Sequence, residues 1–328
     1  MTTIAWADET FNPVKSAHLT KKSEDGSPKI GTHCVLAGPE CEHCYAQEFN
    51  FRNLPNLGHG LPYVASSTPL QTSYVDLEIL AKPLHWKTPK MIFPCSMTDW
   101  CGEFLGSFDA IFQLLAVAAL TPQHRYLFLT KRPKRLAEAI CSHTPETLAE
   151  RIQEEVAKLL DQEKLDLPVS PVPLENCWLG CSAGTLGTWE RFRGPMEKIN
   201  FAGWHTWLSA EPLLERVNFD FLNSGNWVEW FVPGGESGHR GARRCDLGWL
   251  RDGISQADDA GIPVFLKQLG RRPIGKWGPG TPAFGSDKTM WSLKNAKGED
   301  PAEWPTDLQG RRVYPASMVD VEVTHAGV

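Results

Sequence analysis

Six short apolar runs, each followed at once by polar or charged residues, are the feature that most restricts the fold of this chain. Continuous apolar runs of this length are typical of strands buried on both faces, as in a parallel sheet. Parallel neighbours need a crossover, so alternation with helix-like stretches predicts a βα-repeat fold with right-handed connections. The runs are Met91–Cys95, Tyr126–Leu129, Cys177–Cys181, Thr206–Leu208, Trp227–Val232 and Val264–Leu266.

Amphipathic stretches lie between the runs, and we predict helices at Phe108–Leu120, Leu148–Leu160 and Leu247–Ala260. The sequence therefore predicts an α/β fold: a partial (β/α) barrel of about six parallel strands. The barrel is assigned to residues 1–270, with an inserted helix near 145–163.

The first strand is less distinct, and we predict it either near Ile4–Trp6 or near Lys29–His33. Residues 14–30 are rich in Lys, Ser and Gly, and residues 164–176 contain three prolines, so both segments are predicted loops. Residues 271–328 are predicted to form a loop-rich extension packed on the barrel. That packing is assigned to Trp277, Trp291 and Trp304.

The polar residues that follow the runs would lie at the carboxyl ends of the strands, where (β/α) barrels hold their active sites. One such junction is uninformative because polar residues commonly end strands. Six in succession favour a shared functional rim. Its candidates are Ser96, Asp99, Lys131, Arg132, Ser182, Glu211, Glu236 and Lys267.

Three of the nine cysteines, Cys34, Cys41 and Cys44, fall within eleven residues of the segment 31–46. Three thiolates on one loop can face one metal centre. Iron–sulfur clusters are held by such thiolates, and three ligands on a four-iron cluster would leave one iron open. Structural zinc with His33, His43 or a distant cysteine as the fourth ligand is an alternative, as is inert packing.

Composition limits the remaining choices. The number of cysteines is odd, and no secretory signal or membrane-spanning run is visible, so we expect a cytoplasmic protein with reduced thiols and no membrane partner. Cys95 and Cys101 lie near a strand end, whereas Cys141, Cys177, Cys181 and Cys245 are predicted packing residues. A net charge of -6 argues against a general nucleic-acid coat but leaves a local basic rim open.

Several motifs follow one another in a fixed order over nearly the whole chain: Trp6–Pro13, Cys34, Cys41, Cys44–Ala46, Ser96–Asp99, Leu129–Pro133, Trp178–Gly180, Glu211–Leu214, Gly234–Gly238 and Lys267-Gln268. In these motifs the chain resembles the phage-type, three-cysteine-motif branch of the radical-SAM-like proteins. This resemblance implies a partial (β/α) barrel, a [4Fe-4S] cluster held by the three cysteines, and S-adenosylmethionine. It further implies a radical S-adenosylmethionine enzyme whose 5′-deoxyadenosyl radical abstracts hydrogen from a substrate.

The resemblance also suggests roles for the rim. Ser96 and Asp99 are candidates for the methionine amino group, and Lys131 and Arg132 for its carboxylate. Ser182 and Glu211 are candidates for the ribose hydroxyls, and Tyr45 for packing beside the adenine. Glu236 and Lys267 are candidates for substrate contact and catalysis. Asp8 and Asn12 are weaker candidates for capping the barrel mouth.

Two departures from the usual radical-SAM pattern are clear. The first cysteine gap has six residues instead of three, and Gly234-Gly235-Glu236 follows a late strand instead of the second. The expected partners are a flavodoxin- or ferredoxin-type reductant, a nucleotide or nucleic-acid substrate, and a dedicated partner protein. The basic segments 239–244 and 267–276 support the phosphate-bearing substrate, although a solvated charged loop is an equal alternative.

Two other functions remain open. The chain could be a non-catalytic metal- or cluster-binding module that acts with a partner protein. It could also be a hydrolase that uses Asp99, Glu211 and Glu236 as acid–base groups. The hydrolase hypothesis leaves the cysteine spacing unexplained.

Overall fold

A six-stranded parallel sheet with helices between its strands is the centre of the fold in the computed structural model, which describes residues 4–52, 58–223, 227–237, 241–276 and 290–319. The strands are β1 Glu9–Phe11, β2 Val14–Lys22, β3 Pro28–Gly31, β4 Gln71–Val75, β5 Met91–Pro94, β6 Arg125–Thr130, β7 Cys177–Ser182, β8 His205–Ala210, β9 Phe231–Pro233, β10 Cys245–Asp246 and β11 Pro273–Ile274. The strand order in the parallel sheet is β1-β5-β6-β7-β8-β9.

The α/β fold class predicted from the sequence is confirmed. Within the described residues no strand pairing closes β1 onto β9, as expected of a partial barrel. All six residues of β7 are buried, which explains why it reads as a continuous apolar run. The predicted run Trp227–Val232 is strand only in its last part, because β9 begins at Phe231.

The helices include all three that the sequence pattern predicts. The helix α5, Pro145–Glu163, buries Leu148, Ile152, Val156 and Leu159 along one face and covers the range of the predicted inserted helix, whose status as an insertion stays a prediction. The helices are α1 Tyr45–Phe51, α2 Leu77–Leu80, α3 Asp109–Ala119, α4 Pro133–Cys141, α5 Pro145–Glu163, α6 Leu186–Phe201, α7 Leu247–Asp259 and α8 Ala316–Val319. No helix of the described residues is long and apolar enough to cross a membrane.

The start of the chain differs from the prediction. The first strand of the parallel sheet is Glu9–Phe11, which lies at neither predicted place and pairs with β5. Residues 14–30 are not a loop: β2 pairs with β3 and β4 in a separate antiparallel sheet. The inward positions of β2 hold Ser16 and His18, so polar residues conceal the strand alternation.

The chain divides into two compact units. Unit 1 is Met1–Leu179 with Phe201–Trp204, and unit 2 is Gly180–Asn200 with His205–Val328. The sequence had predicted a boundary near residue 270, with a loop-rich extension beyond it.

Within unit 2, the C-terminal residues are tied into the strand layer. Val264 bridges in parallel to Phe231, and Phe265 bridges in antiparallel to Arg312. The Leu266 N–H donates to the Arg311 carbonyl at 2.6 Å, so the predicted run Val264–Leu266 is bridged to β9 on one side and to residues 311–313 on the other. Trp304 is buried and Trp291 is half-buried, whereas Trp277 lies outside the described residues.

Candidate functional site

The three clustered cysteines lie in unit 1 on the loop between β3 and α1. Cys41 ends a short 3₁₀ turn that Pro39 begins, and Cys44 is the residue that caps the amino end of α1. One loop of unit 1 therefore carries all three sulfurs. The Ala37 N–H donates to the Cys41 sulfur at 3.5 Å.

The backbone on both sides of Cys34 is held by residues of other loops. The Thr98 hydroxyl donates to the His33 carbonyl, and Arg132 Nη2 donates to the Val35 carbonyl at 2.5 Å. These two donors follow β5 and β6, respectively. The position of the first cysteine is therefore fixed by the carboxyl ends of two central strands.

Asp99 is the centre of a buried hydrogen-bond network at the same place. Its Oδ1 accepts from the Thr130 hydroxyl at 2.7 Å and from the Cys101 N–H at 3.0 Å. Its Oδ2 accepts from the Lys131 N–H at 3.0 Å and from Arg132 Nη1 at 2.9 Å. A carboxylate has about four acceptor positions, and these four donors fill them.

The Arg132 guanidinium donates hydrogen bonds to three different residues. Besides Asp99 and the Val35 carbonyl, it reaches Glu103, to which its Nε donates at 2.6 Å. Burial alone would lower the pKa of Arg132, but Asp99, Cys34 and Glu103 outweigh it and raise that pKa. Arg132 thus connects β6, the Asp99 loop and the cysteine loop in this structure, and its predicted cofactor role stays a prediction.

Lys131 faces the other two cysteines. Burial alone would lower the pKa of Lys131, but Cys41, Cys44, Asp99 and Glu40 together raise it. Within the described residues Lys131 hydrogen-bonds to Asp99 only through its backbone N–H, and its ammonium group adds a positive charge beside the cysteine loop.

Ser96 and Tyr45 lie against each other at this edge. The Tyr45 hydroxyl donates to the Ser96 carbonyl, and the Ser96 hydroxyl donates to Asn12 Oδ1 at 3.2 Å. Asn12 thus lies at the carboxyl end of β1. Asp8 does not cap the same mouth, since its Oδ2 accepts from the Met91 N–H at 2.8 Å at the start of β5.

The other predicted rim residues lie in unit 2. Lys267 Nζ donates to both oxygens of Glu211, at 2.8 and 2.6 Å, and Gln268 Nε2 donates to Glu211 Oε1 at 2.7 Å. Ser182 is buried at the end of β7. The structure therefore brings Glu211 and Lys267 together as an ion pair.

Glu236 forms a second ion pair in unit 2. Arg243 donates to it from its Nε at 3.1 Å, from its Nη2 at 2.5 Å and from its backbone N–H at 2.6 Å. The Gly234-Gly235 pair serves a close backbone approach: a Cβ on Gly235 would lie 2.3 Å from the Leu269 carbonyl oxygen. The missing side chains of these glycines thus leave room for the backbone of Gln268 and Leu269.

The three cysteines offer a set of thiol donors for a metal cluster. No group of three or more His, Cys, Asp or Glu is gathered around a metal position in the part of the chain that the structure describes. Burial, with Asp99 second, raises the pKa of Cys34 to about 12, while Arg132 opposes the shift. Ligation to a metal deprotonates a thiol outright, and the adjacent cations suit thiolates, so the residue types fit a cluster.

The remaining cysteines differ in burial. Cys95, Cys101, Cys177, Cys181 and Cys245 are buried, and Cys141 is half-buried. Burial raises the pKa of the Cys95 and Cys101 thiols.

Sequence reasoning missed the residues that hold the loops. Thr98, Thr130 and Glu103 were not singled out, although each lies within four residues of a predicted site residue. Arg243 was recognised only as part of a basic segment. A hydroxyl or acid next to a strand-end charge is the signal that would have indicated them.

Comparisons with known proteins give one family. The chain belongs to the family described as "Protein of unknown function (DUF5131)", whose model matches residues 1–287. No curated protein matches the chain. Among solved structures, the chain is similar to a mutant of spore photoproduct lyase with 13% sequence identity and a TM-score of 0.37, over 87% of this chain and 74% of that one.

Proposed function

We propose that this protein is a radical S-adenosylmethionine enzyme in which Cys34, Cys41 and Cys44 hold a [4Fe-4S] cluster. The observation that carries the proposal is that one loop of unit 1 holds all three cysteines, with the cations of Lys131 and Arg132 acting on it. We further propose that the protein belongs to the phage-type, three-cysteine-motif branch and that it is cytoplasmic.

The bound cluster and S-adenosylmethionine would supply a reductively generated 5′-deoxyadenosyl radical that abstracts hydrogen from the substrate. A flavodoxin- or ferredoxin-type protein would be the reductant, and a dedicated partner protein is part of the proposal. The contributions of this chain are to bind, orient and exclude water.

Lys131 is the residue that we assign to the methionine carboxylate, because its ammonium group faces Cys41 and Cys44. Ser96 is assigned to the amino group. Its hydroxyl donates to Asn12 and keeps acceptor capacity, whereas the acceptor positions of Asp99 are filled.

Arg132 and Asp99 are assigned a positioning role. They fix the Val35 carbonyl and the strand ends, and so orient Cys34. In unit 2, Ser182 and Glu211 remain proposed ribose contacts, and Glu236 and Lys267 proposed substrate contacts.

Anaerobic reconstitution with iron and sulfide tests the proposal. The wild-type chain is expected to bind four irons and to absorb at about 400 nm, and alanine at any of the three cysteines should abolish both signals. Cys141→Ala is the matched control, since that half-buried cysteine lies in α4 outside the cluster loop. After reduction with S-adenosylmethionine, 5′-deoxyadenosine should accumulate.

Metal analysis separates this function from the alternative of a non-catalytic metal-binding module. One zinc and no iron in the purified protein would favour the module. A cluster that forms but releases no 5′-deoxyadenosine would also contradict the enzymatic proposal.

A further inference from the structure

Three arginines of unit 2 stand just before two short strands and take no part in the ion pairs described for that unit. Arg244 precedes β10 by one residue, and Arg271 and Arg272 precede β11. These two short strands pair in parallel, with Cys245 opposite Pro273, and the Cys245 N–H donates to the Arg272 carbonyl at 3.2 Å. One step back along both strands, the register places Arg244 beside Arg272.

Neighbouring strands lie about 4.8 Å apart, and like charges at paired positions destabilise the pairing unless a counter-charge is present. Within the described residues, no carboxylate lies in ion-pair range of Arg244, Arg271 or Arg272. Arg244 is exposed, and Arg271 and Arg272 are half-buried. In the part of the chain that the structure describes, the pair of Arg244 and Arg272 therefore has no protein anion to offset its charge.

The acidic residues of this part of unit 2 form hydrogen bonds or ion pairs with other residues. Glu236 is bound by Arg243, and Asp246 accepts from the Gly248 N–H at the start of α7. Asp252 and Asp258 lie further along that helix and pair with Arg216 and Arg311. Residues 241–276 hold seven Lys or Arg against four Asp, in a chain whose net charge is -6.

The backbone beneath the arginines is held in place. The Arg271 N–H donates to the Glu236 carbonyl at 2.8 Å. Gly270 has a φ of +85°, and a Cβ there would lie 2.8 Å from the Gly235 carbonyl carbon. Glycine suits both the left-handed conformation and the close approach. The turn at Gly270 therefore fixes the backbone position of Arg271 and Arg272.

We propose that Arg244, Arg271 and Arg272 form a binding site for a phosphate ester of a nucleotide or nucleic-acid strand. Arginine suits this ligand because its planar guanidinium binds phosphate oxygens through two parallel hydrogen bonds. A phosphate between Arg244 and Arg272 also relieves their mutual repulsion. The inference rests on the proposed function only in taking the bound phosphate ester as the substrate.

Fluorescence anisotropy with a labelled 12-nucleotide single-stranded DNA tests the site in the full chain. Three phosphate contacts predict that log K falls with log salt at a slope of about -2. The triple variant Arg244→Gln, Arg271→Gln, Arg272→Gln should weaken binding about tenfold or more and flatten that slope. Unlabelled adenosine monophosphate serves as competitor: effective competition indicates a nucleotide ligand, and ineffective competition indicates a strand.

The matched control removes the same charge from unit 2. Arg193→Gln, Arg216→Gln, Arg311→Gln replaces three arginines that are already paired with carboxylates. This control should leave both affinity and slope close to the wild type. Equal weakening by the two triple variants, or no binding of either probe to the wild type, would overturn the proposal.

The outcome is separable from that of the proposed function. The arginine triple variant should assemble iron and sulfide as the wild type does, because it leaves the cysteine loop unchanged. The cysteine variants should bind the labelled strand as the wild type does. Anisotropy therefore reports on the arginines, and iron content reports on the cysteines.

Discussion

Arg132 Nη1 donates to Asp99 Oδ2 at 2.9 Å, and both side chains are only 8% exposed. The pair joins the second residue after β6 to the loop that follows β5. Through the Val35 carbonyl, the same guanidinium also holds the backbone next to Cys34. One buried ion pair thus fixes the proposed cluster loop on the sheet.

Replacing Arg132 by Met should destabilise the fold strongly, because Asp99 would keep a buried charge without its partner. We expect a loss of about 3–5 kcal/mol in the free energy of unfolding, measured by urea denaturation. Arg216→Met is the control, since its ion pair with Asp252 is 63% exposed on the arginine side and should contribute at most about 1 kcal/mol. Equal losses in the two variants would show that the Arg132 pair has no special structural role.

Replacing Lys131 by Met should weaken the binding of S-adenosylmethionine to the reconstituted protein by about tenfold or more, since a charge-assisted hydrogen bond to the carboxylate is lost. Isothermal titration calorimetry measures the change. Lys134→Met is the matched control, because that side chain is 84% exposed and lies 3.9 Å from Glu138. Unchanged affinity in Lys131→Met would remove this residue from the cofactor site.

The strands in the middle of the sheet were predictable because burial on both faces requires an uninterrupted apolar run. That signal was sufficient for β5 to β8. It failed for β1, which is the three-residue segment Glu9–Phe11 with two half-buried residues. It also failed for β2, whose buried Ser16 is satisfied by His59 Nε2 at 2.7 Å, a partner that sequence spacing does not reveal.

The candidate site was predictable in part. Cysteine spacing indicated the loop, and strand-end polarity indicated Asp99 and Arg132, which the sequence assigned to two separate parts of a cofactor. The structure places them against each other across 33 residues of chain. Pairing over that distance depends on the register of β5 and β6, and neither residue type nor spacing specifies it.

Adding a methyl group at Gly235 should destabilise unit 2, because the Cβ would lie 2.3 Å from the Leu269 carbonyl oxygen and neither backbone can move freely. We expect Gly235→Ala to lower the free energy of unfolding by about 1–3 kcal/mol. Gly187→Ala is the control: it lies in α6 with nothing within 4 Å of its added Cβ, and should be neutral or stabilise by up to about 1 kcal/mol. Urea denaturation measures both, and a neutral Gly235→Ala would contradict the packing argument.

Stability should fall in mild acid because of His59. Burial first, then the charges of His18, His33 and Lys21, lower the pKa of His59 to about 4 from 6.5. The folded protein therefore keeps this side chain neutral, with its Nδ1 accepting from the Leu61 N–H at 3.3 Å. The contribution of neutral His59 to the free energy of unfolding is fully present above about pH 6.5. It is lost as the pH falls from there towards about 4, because the unfolded chain binds the proton at a higher pH than the folded chain does.

Urea denaturation at pH values between about 4.5 and 7.5 measures this loss, which we expect to reach about 2–3 kcal/mol for His59 at the acid end. His59→Gln should be less stable at neutral pH and should show a shallower dependence on pH. Burial also lowers the pKa of His33 to about 4, so a remaining slope is expected in the variant. His85→Gln is the control, because that exposed histidine lies on the surface beside Glu163 and its loss should leave most of the slope unchanged. An identical pH dependence in His59→Gln and the wild type would show that burial of His59 does not cause the acid instability.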